Sequence, residues 1–386
     1  MNTPERLRTY LFWFLLLQCC IISISIAAAS LLFSLAFLTI LVLIGIGKKW
    51  IVRKTPLDLA FLAYVVVELI AAVNSVDQND AFKNAKRLLL IAIVYGVVAS
   101  FDRRKRIELS LIILAVTVSV LSTFEVILYV LRGDDRLTVF QHYMTAGGLK
   151  MIAALMILPF ALDRGTEKKP RIIFIVSLVP ILAALILTNT RSAWLGFIAG
   201  MLVMGVLFYR SLFVSIAVLV TLFFLFAPQH QLERAKSIVD MTHANNTGRL
   251  TMWTTGFQMW SDKPILGFGD IDLYKSYSQY RTPGIGEPAG HLHNTYIHLL
   301  VTLGLVGFFA VMWLFYSVIA AEYSVFRRHM EKPLIRNTAL GGLAVFSGFL
   351  VNGLFEWNFG DHEIMVFVWF TVGLVLASAE TEKGES

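Results

Sequence analysis

TGRLTMWTTGFQMWSDKPILGFG (residues 247–269) and HLHNTYIHLLVTLGLVG (residues 291–307) decide how this chain is read. With the Tyr-, Gly- and Pro-rich loop between them, they form the longest part of the chain that cannot sit in hydrocarbon, and apolar runs flank them on both sides. Thr247 is a good N-cap residue. Leu250, Trp253, Phe257 and Trp260 follow at helical spacing until Asp262-Lys263-Pro264 stops the helix, with Arg249 in its first turn. A Trp-bearing apolar stripe beside a membrane reads as a helix lying in the interface plane, or more simply as a surface anchor. Gly267-Phe268-Gly269 and residues 283–290 are turn-rich and suit a loop or lid folded back over the membrane surface. His293 and Asn294 then stand where the chain returns to hydrocarbon.

The rest of the composition agrees with a membrane setting. At 57% hydrophobic and 15% charged residues, with a mean hydropathy of +0.71, the 386-residue chain is too apolar for a soluble domain. A net charge of +7 could suggest nucleic acid, but the basic residues lie in short clusters between apolar runs, as cytoplasmic loops of membrane proteins do. No nucleic-acid partner is expected. Cys19 and Cys20 are adjacent inside the first apolar run and read as buried thiols rather than a disulfide framework.

About twelve stretches qualify as membrane spans on length and apolarity. They are 11–28, 31–45, 57–73, 88–100, 109–131, 144–162, 172–187, 193–208, 212–227, 296–320, 338–355 and 365–379. The first two form a tight hairpin around Ala29-Ser30. Ala27-Ala28-Ala29 has the small residues of a signal-peptidase site, but an immediately following span makes an uncleaved hairpin the simpler reading. One set of alternate loops carries Arg6 and Arg8; Lys48, Lys49, Arg53 and Lys54; Arg103 to Arg106; Arg164, Lys168, Lys169 and Arg171; Arg210; and Arg327, Arg328, Lys332 and Arg336. These loops are cytoplasmic, so both termini are inside. Residues 74–87, 132–143, 188–192, 228–290 and 356–363 face outward, to the periplasm of a bacterial inner membrane. The chain reads as one all-α domain over residues 1–386, with an insertion at 228–292 between the ninth and tenth spans. Chemistry on that face has no nucleotide donor at hand and must use an activated donor already in the membrane.

Three separated segments bring charge to the outer face: Arg191 at the start of the 193–208 span, Arg249 in the insertion and His293 at the head of the next span. A guanidinium fork suits phosphate oxygens, and a neutral imidazole suits proton abstraction. Singly, such an arginine often only snorkels to lipid phosphate, and such a histidine often only packs. Their combination is sharper than its parts.

Thr188-Asn189-Thr190-Arg191-Ser192-Ala193-Trp194, then Gly248-Arg249 with Trp253 and the run from Asp262 to Gly269, then His293-Asn294-Thr295-Tyr296 with Leu303-Gly304-Leu305-Val306-Gly307, resemble the O-antigen ligase and polymerase family. The resemblance covers residues 150–370 in motif order, and 74–90 resembles that family's first outward loop. It implies a membrane glycosyltransferase of C-type architecture, needing no cofactor and no metal, that moves a glycan from undecaprenyl diphosphate to an acceptor among membrane lipids. Arg191 and Arg249 would hold the diphosphate, and His293 would be general base on the acceptor hydroxyl. Asn294, Trp253 and Tyr296 would contact substrate, and Lys83, Lys86 and Arg87 would be secondary phosphate contacts. The acceptor favoured is the lipid A core oligosaccharide. An O-antigen or exopolysaccharide polymerase with a lipid-linked acceptor is the alternative, and a single large outward insertion leans toward the ligase. A secondary transporter would also have about twelve spans, but would place its ionisable residues near the midplane. Here the strongest polar groups lie at the outer edge, although Glu68 and Glu125 fall within spans. His291, His293 and His298 match no standard zinc spacing. Glu356, Asp361, His362 and Glu363 read as a solvated loop shaping the acceptor side, with an acidic rim able to bridge divalent ions as a further thought.

Overall fold

A computed structural model describes residues 3–46, 53–240, 242–281 and 289–381. Lys48 and Lys49 of the cytoplasmic set, and residues 283–288 of the expected lid, lie outside the described residues. Along the chain run α1 (Thr3–Ile21), α2 (Ile26–Ile46), α3 (Asp58–Val73), α4 (Gln78–Asn84), a 3-10 segment (Ala85–Leu90), α5 (Ile91–Ser100) and α6 (Arg104–Arg132). Then come α7 (Tyr143–Leu162), α8 (Lys168–Leu187), α9 (Arg191–Leu207), α10 (Ser211–Phe226), α11 (Gln229–Lys236), α12 (Ala244–Asp262) and α13 (Tyr274–Tyr280). The chain closes with α14 (Thr295–Arg328), α15 (Pro333–Asn352) and α16 (His362–Glu380). No strand occurs among the described residues.

Seven of these helices, α2, α6, α7, α8, α14, α15 and α16, are long and apolar enough to cross a membrane, and α9 and α10 are shorter apolar helices. The chain is a multi-pass helical membrane protein. The other expected spans are helical as well, but α3 and α5 have only 16 and 10 residues. Helices α7, α15 and α16 are buried on nearly every face, whereas α10 buries only Leu212 and lies at the periphery. Small residues set the closest crossing. A methyl group at Gly196 of α9 would stand 2.6 Å from the Gly348 carbonyl oxygen of α15, and one at Gly200 would stand 2.7 Å from that of Ala344. Residues spaced by four on both helices thus let the backbones touch, which is how membrane helices gain packing without a hydrophobic driving force.

Two local expectations are corrected. The first turn is at residues 22–25, not at Ala29-Ser30, which lie inside α2. The Ile22 and Ser25 amides donate to Gln18 and Ile21 carbonyls, and Ser25 Oγ accepts from the Ala28 amide, so Ser25 rather than Ser30 starts the second helix. Helix α12 begins a turn before Thr247, because the His243 side chain caps it by accepting from the Asn245 amide. It ends at Asp262 as read from Asp262-Lys263-Pro264. Its Thr255, Gly256 and Met259 face inward, while Leu250 and Phe257 of the expected stripe are turned outward.

The insertion has its own apolar cluster. Met259, Phe268, Ile271, Tyr277 and Leu292 pack with Ala72 of α3 and Val301 of α14. Its loop at 264–269 docks on a kink in α14, where Gly304 has φ 63° and ψ −168°. There the Phe268 and Gly269 amides donate to the Val301 and Thr302 carbonyls, and the Leu305 amide donates to Pro264. The loop thus takes up the helix hydrogen bonds that the kink releases. The same loop is bonded to the first outward segment: Val76 N and Ser75 Oγ both donate to the Phe268 carbonyl.

Candidate functional site

At the end of the bundle where these loops meet, the start of α14 is laced to the loop before α16. Asn294 caps α14 by accepting from the Tyr296 and Ile297 amides, and its side-chain amide donates to the Leu354 carbonyl at 2.9 Å. Thr295 donates from Oγ1 to the Glu356 carbonyl and to Asn358 Oδ1. These bonds hold Glu356 against His293, whose Nδ1 is 3.2 Å from each carboxylate oxygen. A carboxylate only accepts, so Nδ1 carries a proton, and the tautomer that makes this bond in a neutral ring presents Nε2 as an acceptor. His293 is also one of two non-glycine residues at positive φ, at 45°, a backbone state that the neighbouring caps over-determine. Burial acts to raise the Glu356 carboxyl, but the hydrogen bond from His293 and the charges of His293 and His291 carry it below its ordinary value.

The pair opens on a cavity of about 270 Å³ lined also by His142, Thr145, His291 and Asp361. His291 stacks edge-on to His293 at 4.2 Å, and burial first, then the neighbouring histidine, depresses its pKa. His291, His293 and Glu356 offer ligand atoms within 4.8 Å of one another and could hold a metal ion. His298 is not part of that group; it is buried against the Trp357 ring at 3.9 Å.

The second half of the site is built on the turn before α9. Asn189, at φ 52°, donates from its side-chain amide to the Asp135 carbonyl at 2.8 Å, and the Leu137 amide donates to Leu187. Thr190 Oγ1 donates to the Tyr143 carbonyl, and Arg234 donates to the Asn189 carbonyl. Arg191 is buried and reaches back into the insertion, donating to the Ser237 carbonyl and hydroxyl and to Asn246 Oδ1. Four guanidiniums, those of Arg136, Arg191, Arg234 and Arg249, are therefore gathered closely enough to repel one another. None of them forms an ion pair with a carboxylate among the described residues. Arg249 is half-buried, and burial lowers its pKa while the charge of Glu356 supports it. Arg249 lies on α12 three residues after Asn246, which Arg191 holds, and one turn before Trp253, which is bonded to Leu292 beside His293.

An apolar groove of about 300 Å³ runs from this cluster down the bundle side, between α8, α9 and α10. Leu185, Trp194, Phe223, Ala235 and Ile238 line it, so its mouth lies beside Arg234.

Not every residue singled out from sequence faces this space. Asn294 uses its polar atoms as a cap, Tyr296 donates its hydroxyl to the Leu350 carbonyl, and Trp253 Nε1 donates to the Leu292 carbonyl. All three position the His293 turn. Arg87 is turned inward, ion-paired with Asp270 and set 5.7 Å from the Trp357 ring centre, whereas Lys83 and Lys86 are exposed. Sequence picks out neither Arg136 nor Arg234 as a site residue, and Glu356, expected in a solvated loop, is paired with His293 instead. The signal for the two arginines was their place in outward loops, where basic residues are scarce.

Residues 172–312 match the family model described as O-antigen ligase. A search of curated proteins found no match. The matched segment holds Arg191, Arg249 and His293, the three residues around which the site is built, and this similarity over residues 172–312 supports a place in the O-antigen ligase family.

Proposed function

We propose that this protein transfers a glycan from undecaprenyl diphosphate to the lipid A core oligosaccharide at the outer face of the bacterial inner membrane. The observation that carries the reading is the His293–Glu356 pair, at the same end of the bundle as arginines that form no ion pair with a carboxylate among the described residues. The family match supports the class of reaction, and the groove beside the arginines suits a polyprenyl chain.

The chemistry follows from the parts. The acceptor hydroxyl oxygen attacks the anomeric carbon while the bond from that carbon to the diphosphate oxygen breaks. The hydroxyl proton passes to His293 Nε2, and the imidazolium is stabilised by Glu356 through Nδ1. The departing diphosphate takes the bonding electrons, and Arg191 and Arg249 offset the charge that builds on it. Attack by the hydroxyl itself inverts the anomeric centre and leaves no glycan on the enzyme. Arg191 contributes from a tethered position, since its guanidinium also fastens α9 to residues 237–246.

The test is a reconstitution with purified protein, undecaprenyl diphosphate-linked glycan and rough lipopolysaccharide, with chelator and without ATP. Glycan on the lipopolysaccharide is the expected product. Lengthening of the lipid-linked glycan instead would make the protein a polymerase. No transfer to either acceptor by folded protein would overturn the transferase reading and favour a transporter.

A further inference from the structure

Arg136 and Arg234 have no part in the reaction as described so far, yet the fold works to bring them together. The Asn189 side chain ties down the segment carrying Arg136, and its backbone carbonyl accepts from Arg234. Arg136 then lies 4.2 Å over the ring of Tyr143, the residue whose carbonyl anchors Thr190. Arg234 leaves its Nε buried with no hydrogen-bond partner among the described residues, one residue before Ala235 at the mouth of the apolar groove. Gathering guanidiniums with no ion-paired carboxylate is unfavourable in an isolated protein, and an anion is what reverses the sign. The cluster also has a direction. The groove lies on the Arg234 side, while Arg249 lies one turn of α12 before Trp253, whose ring nitrogen donates to the Leu292 carbonyl beside His293.

We propose that Arg136 and Arg234 hold the lipid-side phosphate of the donor and Arg249 the sugar-side phosphate, so that the polyprenyl chain occupies the groove and the anomeric carbon faces His293. The proposal rests on the donor reading above. A diphosphate offers each end its own set of oxygens, and guanidinium forks bind such oxygens in pairs. The lipid-side phosphate does not change its bonding during transfer, so Arg136 and Arg234 bind donor and product equally. Arg249 meets the phosphate on which charge develops.

Two lipid probes separate these roles in detergent-purified full-length protein: undecaprenyl phosphate, which has only the lipid-side phosphate, and undecaprenyl diphosphate. Arg136→Gln and Arg234→Gln are expected to weaken binding of both probes by about tenfold or more, as loss of a charge-assisted hydrogen bond does. Arg249→Gln is expected to weaken the diphosphate by about the same factor and to leave the monophosphate within about twofold. Arg234→Lys, which keeps the charge, is expected to restore most of the loss. Because the neutral variants relieve repulsion, the melting temperature of the ligand-free protein should hold or rise; a fall in both variants would mean a structural role and overturn the proposal. Unchanged monophosphate binding in Arg136→Gln and Arg234→Gln would also overturn it, as would an equal loss in Arg249→Gln. Wild-type protein that bound neither lipid would instead overturn the donor reading itself, and this inference with it.

Discussion

Glu356 governs His293 through one ring nitrogen, and the strength of the account at the residue scale rests on that bond. Glu356→Gln keeps an acceptor but loses the charge that favours the imidazolium, so kcat should fall by about 10²-fold with little change in donor KM. Steady-state kinetics with a lipid-linked donor decide this, and an unaltered kcat removes Glu356 from the mechanism. The pH dependence has a definite sign. A carboxyl whose folded pKa is lowered, as that of Glu356 is, contributes fully above its unfolded value of about 4.3 and loses that contribution as pH falls through the folded value. His291, whose pKa burial lowers, contributes fully above about pH 6.5 and loses its contribution as pH falls below that. The melting temperature should therefore drop from about pH 7.5 to about pH 5.5, and His291→Gln should shrink that drop. A drop of equal size in the variant would contradict the assignment. Arg191, Arg249 and His293 can be proposed from the sequence because each sits in a local motif. Glu356 was not legible as the partner of His293, since 63 residues separate them and only the caps on Asn294 and Thr295 bring them together.

Among the elements, α14 shows most clearly how a motif read for one purpose serves another. Leu303-Gly304-Leu305-Val306-Gly307 reads as apolar helix, yet Gly304 takes a left-handed backbone, and a methyl group there would strike the Ile265 carbonyl. Gly304→Ala should destabilise the protein by at least about 1–3 kcal/mol from backbone strain alone, and more as the 264–269 loop is displaced. Thermal unfolding in detergent measures it; a variant as stable as wild type would mean that the loop does not dock as described. The run from Asp262 to Gly269 can be found by inspection as a turn, but neither the kink at Gly304 nor its pairing with that run can. It depends on backbone hydrogen bonds between segments with no shared pattern. The misplaced first hairpin turn has a similar cause. Ala29-Ser30 and Ser23-Ile24-Ser25 each place serine in an apolar run, and hydrophobic periodicity cannot choose between them.

For the whole molecule, the alternation of basic loops correctly groups the segments that meet at each end. At the end that carries His293, residues 135–137, 188–191 and 230–246 are joined to one another, residues 264–272 to the segment at 75–87, and residues 353–361 to the start of α14, by hydrogen bonds or ion pairs. At the other end, Arg336 pairs with Asp163 at 2.5 Å and Arg53 with Glu380 at 3.1 Å. Glu125, which had no role from sequence, is paired inside the bundle with Lys150 at 2.7 Å, both side chains being 2% exposed. Lys150→Met should cost about 3–5 kcal/mol because it strands a buried carboxylate, and adding Glu125→Gln should recover much of that loss. Equal stability of the single and double variants would show that the pair is not coupled. The central claim is that a histidine base and fixed arginine charges on the outer face carry out glycan transfer. It is tested most directly by measuring donor binding and transfer side by side in His293→Ala. The account predicts donor affinity close to wild type with transfer reduced by at least about 10²-fold. Transfer at the wild-type rate would contradict it.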